Sequence, residues 1–225
     1  MSTYFEYEKL TWPEIYKLPR DIPLVIPLGS GYDMERLASA LGNPTRAGIL
    51  PPLPYGWSGS GLQVAEIHLG KYLYNLVKSL QDDGFSRVWV LTPQQVSLSY
   101  EMPCIALPHS SQFTSIQQPL PEDNERGKVV IIPIGHTEQH GYHSPMSTDT
   151  VIIEAIAQGA AQATPDRAVC LPVMPYGVST HRASFAGTLN AGGRAFEDFF
   201  IDVVDLLAAR GFDRFYFMSG HGGNS

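Results

Sequence analysis

Cysteine is scarce in this 225-residue chain: only Cys104 and Cys170 occur, far apart and each inside an apolar run. That placement predicts two buried free thiols rather than a disulfide or thiolate ligands. Basic residues are also few, with 15 Lys and Arg against 22 acidic residues, and they form no run. A formal charge of −7 argues against a general nucleic-acid binder, because phosphate affinity needs clustered cations. No apolar run approaches the roughly 18 residues of a membrane span, and residues 1–20 contain no signal-peptide core. A cytoplasmic protein without membrane or nucleic-acid partners is the expectation. What is present is 44% hydrophobic and 11% aromatic sequence, enough for one large or two small globular domains.

The second half reads as alternating strands and helices. Val129 to Pro133 has the length of a buried strand, and Thr150 to Ala163 has helical spacing. Ile152, Ala155, Ile156, Gly159 and Ala160 share one face of that helix, and Asp149 or Thr150 can cap it. Val169 to Pro175 predicts a second strand, closed by the turn signal Pro175-Tyr176-Gly177. Ala195 to Arg210 carries Phe196, Phe199, Phe200, Val203 and Leu207 at helical spacings, with Gly211 as a stop. Phe215 to Met218 is a third strand, leading into Gly220-His221-Gly222-Gly223. This order predicts an α/β layered sandwich with a mainly parallel sheet and its binding crevice at the strands' carboxyl ends. Glu138, Ser179 and His221 each follow a strand, so all three fall at one rim.

The first half repeats the pattern. Leu24 to Ser30 echoes Val130 to His136, and Leu53 to Ser58 echoes Met174 to Ser179. The helix bearing Leu69, Tyr72, Leu73, Leu76, Val77 and Leu80 ends at Gly84-Phe85-Ser86-Arg87, matching Gly211-Phe212-Asp213-Arg214. Echoes in the same order predict an internal duplication. Residues 1–109 form a structural copy, 110–127 a linker rich in Ser, Gln and Pro, and 128–225 the copy that carries chemistry. The first copy has no counterpart of Glu138, His140 or Asp149.

Glu138, His140 and Asp149 put two carboxylates and an imidazole within a short stretch, and His221 adds an imidazole from another strand end. Such mixed ligation without thiolate suits a divalent ion: zinc, manganese or iron. His136 reads as a residue behind the ligands. His143 and His181 could orient substrate or relay protons, whereas His68 and His109 read as structural or exposed. Tyr55, Trp57, Tyr72 and Tyr74 read as core or interface aromatics.

The series Pro133 to Gly141, Thr148-Asp149, Tyr176 to Ser179, Phe185 to Thr188 and Gly220 to Asn224 resembles the creatininase (creatinine amidohydrolase) family. The resemblance spans nearly all of residues 128–225. It implies a metal-dependent hydrolase with a creatininase-like layered α/β fold, oligomeric assembly and two metal ions. Glu138 and His140 would serve different ions, Asp149 would bridge them, and His221 would join Glu138. Ser179 and the backbone at Gly222 would lie against a small-molecule substrate. Members act on cyclic amides, formamides, peptide bonds or, in sugar and cyclitol pathways, ring ketones. The family's turn glutamate is replaced here by Gly223, and its catalytic histidine would lie beyond Ser225. A truncation, or a second chain supplying the missing groups, would account for both departures. Within this chain His181 is the best proton donor to a leaving group. The opposing reading is a non-catalytic scaffold or truncated subunit, and a third is a sugar- or phosphate-binding α/β module that uses the Gly222-Gly223 turn as an anion nest, though no Lys or Arg lies within that turn.

Overall fold

The computed structural model describes residues 2–108, 120–180 and 184–224. His181, His109 and residues 110–119 of the expected linker lie outside the described residues. In chain order the strands are β1 (Thr3–Glu6), β2 (Leu24–Pro27), β3 (Arg46–Ile49), β4 (Val88–Pro93), β5 (Cys104–Leu107), β6 (Val129–Ile134), β7 (Ala168–Cys170) and β8 (Phe215–Ser219). The helices are α1 (Trp12–Tyr16), α2 (Met34–Ala40), α3 (Glu66–Asp82), α4 (Thr148–Ala163) and α5 (Gly193–Ala209). Two sheets form, a five-stranded one ordered β1-β3-β2-β4-β5 and a three-stranded one ordered β7-β6-β8. Every pairing within them is parallel. The α/β class with parallel sheets is therefore as expected.

Period-2 alternation sets the layers. Leu24 and Ile26 of β2, with Val130 and Ile132 of β6, enter one core shared with α3 and α5. Val25 faces the other way and packs with Leu37 of α2 and with Leu41, which caps that helix. Ile131 likewise packs with Ala157 of α4. Helix α3 meets α5 through the rings of Tyr72 and Phe199, 4.8 Å apart. His68 also binds Asp202 across that seam, with Nδ1 2.7 Å from the carboxylate. Tyr55, Tyr72 and Trp57 are buried. Tyr74 is half-buried against Tyr100, so these aromatics build core and helix contacts.

The sequence echoes coincide with repeated backbone bonds. Gly29 N donates to Leu53 O at 2.9 Å, and Gly135 N to Met174 O at 2.8 Å. Leu53 N donates to Pro27 O at 2.9 Å, and Met174 N to Pro133 O at 3.0 Å. Phe85 N and Phe212 N bond Leu80 O and Leu207 O, both at 3.1 Å.

Three expectations need correction. The strand expected over Val169 to Pro175 is the short β7 plus a single bridge between Met174 and Ile134. Pro133 of β6, next in line to donate toward β7, has no N–H, so the ladder is interrupted. Cys104 is exposed, although Cys170 is buried as expected. Cys104 lies on an edge strand whose Ile105 and Leu107 turn inward, which sends Cys104 and Ala106 outward. The buried stripe of α4 is Asp149, Ile153 and Ala157, whereas Ile152 and Ile156 are exposed. Only a narrow three-stranded sheet lies beneath α4, and a line of residues four apart suffices to cover it. That same line aims Asp149 at the sheet's rim. Strand β8 is an edge, with Tyr216 and Phe217 largely exposed. No helix among the described residues is long and apolar enough to cross a membrane.

Candidate metal centre

At the carboxyl end of β6 the backbone is held from both sides. Gly220 N donates to Ile134 O, and Gly135 N to Met174 O, each at 2.8 Å. The loops after β6, β7 and β8 are thus fixed to one another before any side chain acts. Gly135 is demanded by contact rather than by dihedral angle: a Cβ there would lie 2.4 Å from the backbone Cα of Thr150. Replacing it with alanine must displace the start of α4, and Asp149 with it. Gly135→Ala is expected to cost about 1–3 kcal/mol of stability, measured as a lower urea midpoint at unchanged slope.

The first residues of the loop that follows, His136 to Gln139, then turn their polar groups inward. Glu138 is 5% exposed, and its Oε2 accepts a hydrogen bond from Ser179 Oγ at 2.9 Å. Its Oε1 lies 3.3 Å from His221 Nδ1. Asp149, 8% exposed in the first turn of α4, has Oδ1 2.9 Å from His140 Nε2 and Oδ2 3.1 Å from His221 Nδ1. Glu138, His140 and Asp149 each offer a ligand atom within 4.8 Å of the others. The structure therefore brings together the four residues singled out in the sequence. Ser179 is fully buried and orients Glu138 directly. Gly222 is exposed at the head of a 3-10 turn, Gly222–Asn224. His143 is exposed, outside the cluster.

His136, Glu138 and His221 also offer atoms within 4.8 Å of one another, so His136 competes as a ligand. Hydrogen-bond chemistry decides between the histidines. His140 Nδ1 faces the Glu138 carbonyl at 3.1 Å, which can only accept, so Nδ1 carries a proton and Nε2 is the nitrogen able to ligate a cation. His136 Nδ1 instead accepts the Gly177 N–H at 2.9 Å, which leaves the ring proton on Nε2. A protonated nitrogen has no lone pair for a cation. His136 is fully buried, and its ring stacks on that of His221 with centroids 4.5 Å apart. In this tautomer it lies against the candidate ligand His221 and offers no lone pair of its own to a cation.

Without a cation the four groups hold one another charged. Burial opposes charge on His221, but the Asp149 and Glu138 carboxylates outweigh it and raise its pKa to about 9. Burial likewise opposes ionised Asp149, yet hydrogen bonds from His140 and His221 bring it down to about 2. Glu138 is lowered, with His221 and Ser179 overcoming its burial. His140 is raised, chiefly by its bond to Asp149. Buried carboxylates and imidazoles paired only among themselves, with no thiolate, form a donor set that fits a divalent ion.

Sequence reading missed two contributors. Asn224 Oδ1 accepts from Val178 N at 2.9 Å and its Nδ2 donates to Gly135 O at 3.3 Å, joining three loops. Thr188 Oγ1 accepts from Gln139 N at 3.3 Å. Both lie inside motifs already noted, so position in the motif was the available signal.

Residues 116–225 match the sequence profile of a family described as creatininase, creatinine amidohydrolase. The mycofactocin precursor peptide peptidase of Mycolicibacterium smegmatis is 39% identical over 100 residues, covering 43% of this chain and 40% of that protein. The creatinine amidohydrolase of Pseudomonas putida is 30% identical over 102 residues, covering 43% of this chain and 38% of that protein. A crystal structure of creatinine amidohydrolase (creatininase) aligns at 30% identity with a TM-score of 0.43, over 46% of this chain and 41% of that one. The chain thus spans about 40% of the length of the curated relatives it matches.

Proposed function

We propose that this chain, whose residues 116–225 match the creatininase family, is a metal-dependent hydrolase that cleaves a C–N bond of a small amide at the rim of β6 and β8. A cyclic amide or a formamide is the proposed substrate class. The observation that carries this reading is the convergence of Glu138, His140, Asp149 and His221 in one largely buried cluster. The relatives' names, a peptide peptidase and an amidohydrolase, both denote cleavage between a carbonyl and a nitrogen, which supports it.

Glu138 and His221 are proposed to hold one ion and His140 the other, with Asp149 shared between them; zinc, manganese and iron all suit these donors. Divalent ions in such a site supply an activated water and polarise a carbonyl. This chain's own contributions are orientation and charge. Ser179 fixes the Glu138 carboxylate, the Glu138 carbonyl fixes the His140 ring, and His136 fixes the plane of His221. The backbone at Gly222 is proposed to face the substrate, and His181 to protonate the leaving nitrogen.

Residues 1–109 are proposed as a structural copy joined by 110–127 to the metal-binding half, in a cytoplasmic protein. The edge strand β8, with Tyr216 and Phe217 exposed, favours a homo-oligomer or a complementary chain pairing there.

Elemental analysis after loading with zinc or manganese, followed by assays on cyclic amides, N-formyl amino acids and short peptides, tests the proposal. Two ions per chain and chelator-sensitive hydrolysis of one class are expected. One ion or none, with no turnover, would leave the scaffold reading standing.

A further inference from the structure

Residues Tyr7 to Tyr16 precede the family match, yet they are built onto the loop that carries His140. Ser147 N donates to Glu8 O at 3.0 Å, and Met146 N to Leu10 O at 2.9 Å. Thr11 and Pro145 form an antiparallel bridge beside them. One residue on, the Trp12 indole meets the Tyr142 ring edge-on at 5.9 Å and the Phe185 ring at 5.4 Å. Tyr7 Oη donates to Gly187 O at 3.0 Å, and a Cβ on Gly187 would strike that hydroxyl and Ile15, each at 2.4 Å. The segment therefore grips two loops at once, the one from Glu138 to Ser147 and the one from Phe185 to Leu189. Those loops also bond each other, through Gln139 N to Thr188 Oγ1 at 3.3 Å.

The segment's own shape is set locally. Thr11 N and Thr11 Oγ1 both donate to Glu14 Oε2, at 2.8 and 2.7 Å, and Pro13 follows in the first turn of α1. That fixes the angle at which Trp12 leaves the backbone. The loop it meets contains no helix or regular strand between Glu138 and Ser147, only the bridge between His140 and Ser144. Left alone, such a loop would have to be ordered by the ion itself, at the expense of affinity.

We propose that Tyr7 to Tyr16 act as a positioning strap, with Trp12 as its central contact, that holds His140 at its spacing from Asp149 and so sets the affinity of the ion His140 binds. The strap rests on the reading that His140 and Asp149 hold an ion. It gives the first half of the chain a role at the site, though that half carries none of the ligands.

The test titrates zinc into wild type, Trp12→Ala, Trp12→Phe and Tyr142→Ala, against a competing chelator, with circular dichroism and thermal midpoints alongside. Tyr142 is 69% exposed, so its truncation removes the Trp12 contact while leaving the core intact. Wild type is expected to bind in two steps. Trp12→Ala and Tyr142→Ala are expected to weaken one step about tenfold and leave the other unchanged, the size typical of groups that orient a ligand from behind. Trp12→Phe keeps a ring in place and is expected to restore wild-type affinity. Wild-type binding in a folded Tyr142→Ala would overturn the strap while leaving the metal centre intact. Equal weakening of both steps would mean general loosening and would also overturn it. Failure of wild type to bind zinc would remove the metal centre first.

Discussion

Asp149→Ala is expected to lose at least one of two bound ions and roughly a thousandfold in hydrolysis, about 4 kcal/mol of transition-state stabilisation. The size follows from where this carboxylate sits. Its two oxygens face different imidazoles, His140 at 2.9 Å and His221 at 3.1 Å, and the imidazoles come from different loops. No other described carboxylate touches both: Glu138 reaches His221 with its side chain but His140 only through its backbone carbonyl. Removing Asp149 therefore separates the cluster into two incomplete halves. The residue also occupies the first turn of α4, where the helix end favours negative charge, so Asp149→Asn would lose the charge while preserving shape. Both variants are expected to fold, as judged by circular dichroism, and both to fail in metal retention after dialysis. Full metal content in Asp149→Ala would remove the shared-ligand role, and with it the reason for placing two ions here. Unchanged hydrolysis with reduced metal would show that the chemistry occurs elsewhere.

The candidate ligands Glu138 and His221 were legible in the sequence because each follows a strong local signal. Val129 to Ile134 is a continuous apolar run, and Phe215 to Ser219 another, so the positions of Glu138 and His221 after strand ends could be read directly. The α5 face was equally plain: Phe199, Phe200, Val203 and Leu207 recur at helical spacing and are buried. Helix α4 was different. Its apolar residues are so numerous that Ile152 and Ile156 suggested one face and Ile153 and Ala157 another, and only the sheet's width decides between them. Strands β1 and β3 escaped notice because Thr3–Glu6 and Arg46–Ile49 are short and mixed in polarity. They are strands because parallel neighbours satisfy their backbone, which is tertiary context rather than propensity. The strap was invisible for the same reason. Its contacts run from Glu8 to Ser147 and from Tyr7 to Gly187, and no local periodicity reports pairing at such separation.

Without a bound ion, charge within the cluster makes stability depend on pH. In the metal-free chain His221 has a pKa of about 9 against an ordinary 6.5, so the folded state holds a proton that the unfolded state releases sooner. That contributes about 3 kcal/mol, fully present below pH 6.5 and lost as pH rises through about 9. Asp149 is the other side of the same pairing. Its pKa of about 2, against an ordinary 3.8, makes its contribution present above pH 3.8 and lost as pH falls through about 2. Because the two shifts describe one interaction, they are counted once. Urea midpoints in the presence of chelator are expected to be highest between about pH 4 and 6.5 and to fall by about pH 9.5. An ion reverses this order, because it competes with the proton on His221 and on His140, whose pKa is also raised. Metal-loaded protein is therefore expected to gain stability from about pH 6 to pH 8, where the metal-free chain loses it. Calorimetric titration of zinc near neutral pH, repeated in buffers of different ionisation enthalpy, should register protons released on binding. A chelator-treated midpoint that stays flat from about pH 6 to 9.5 would mean that His221 carries no stabilising proton and that the carboxylates neighbouring it do not act as its partners.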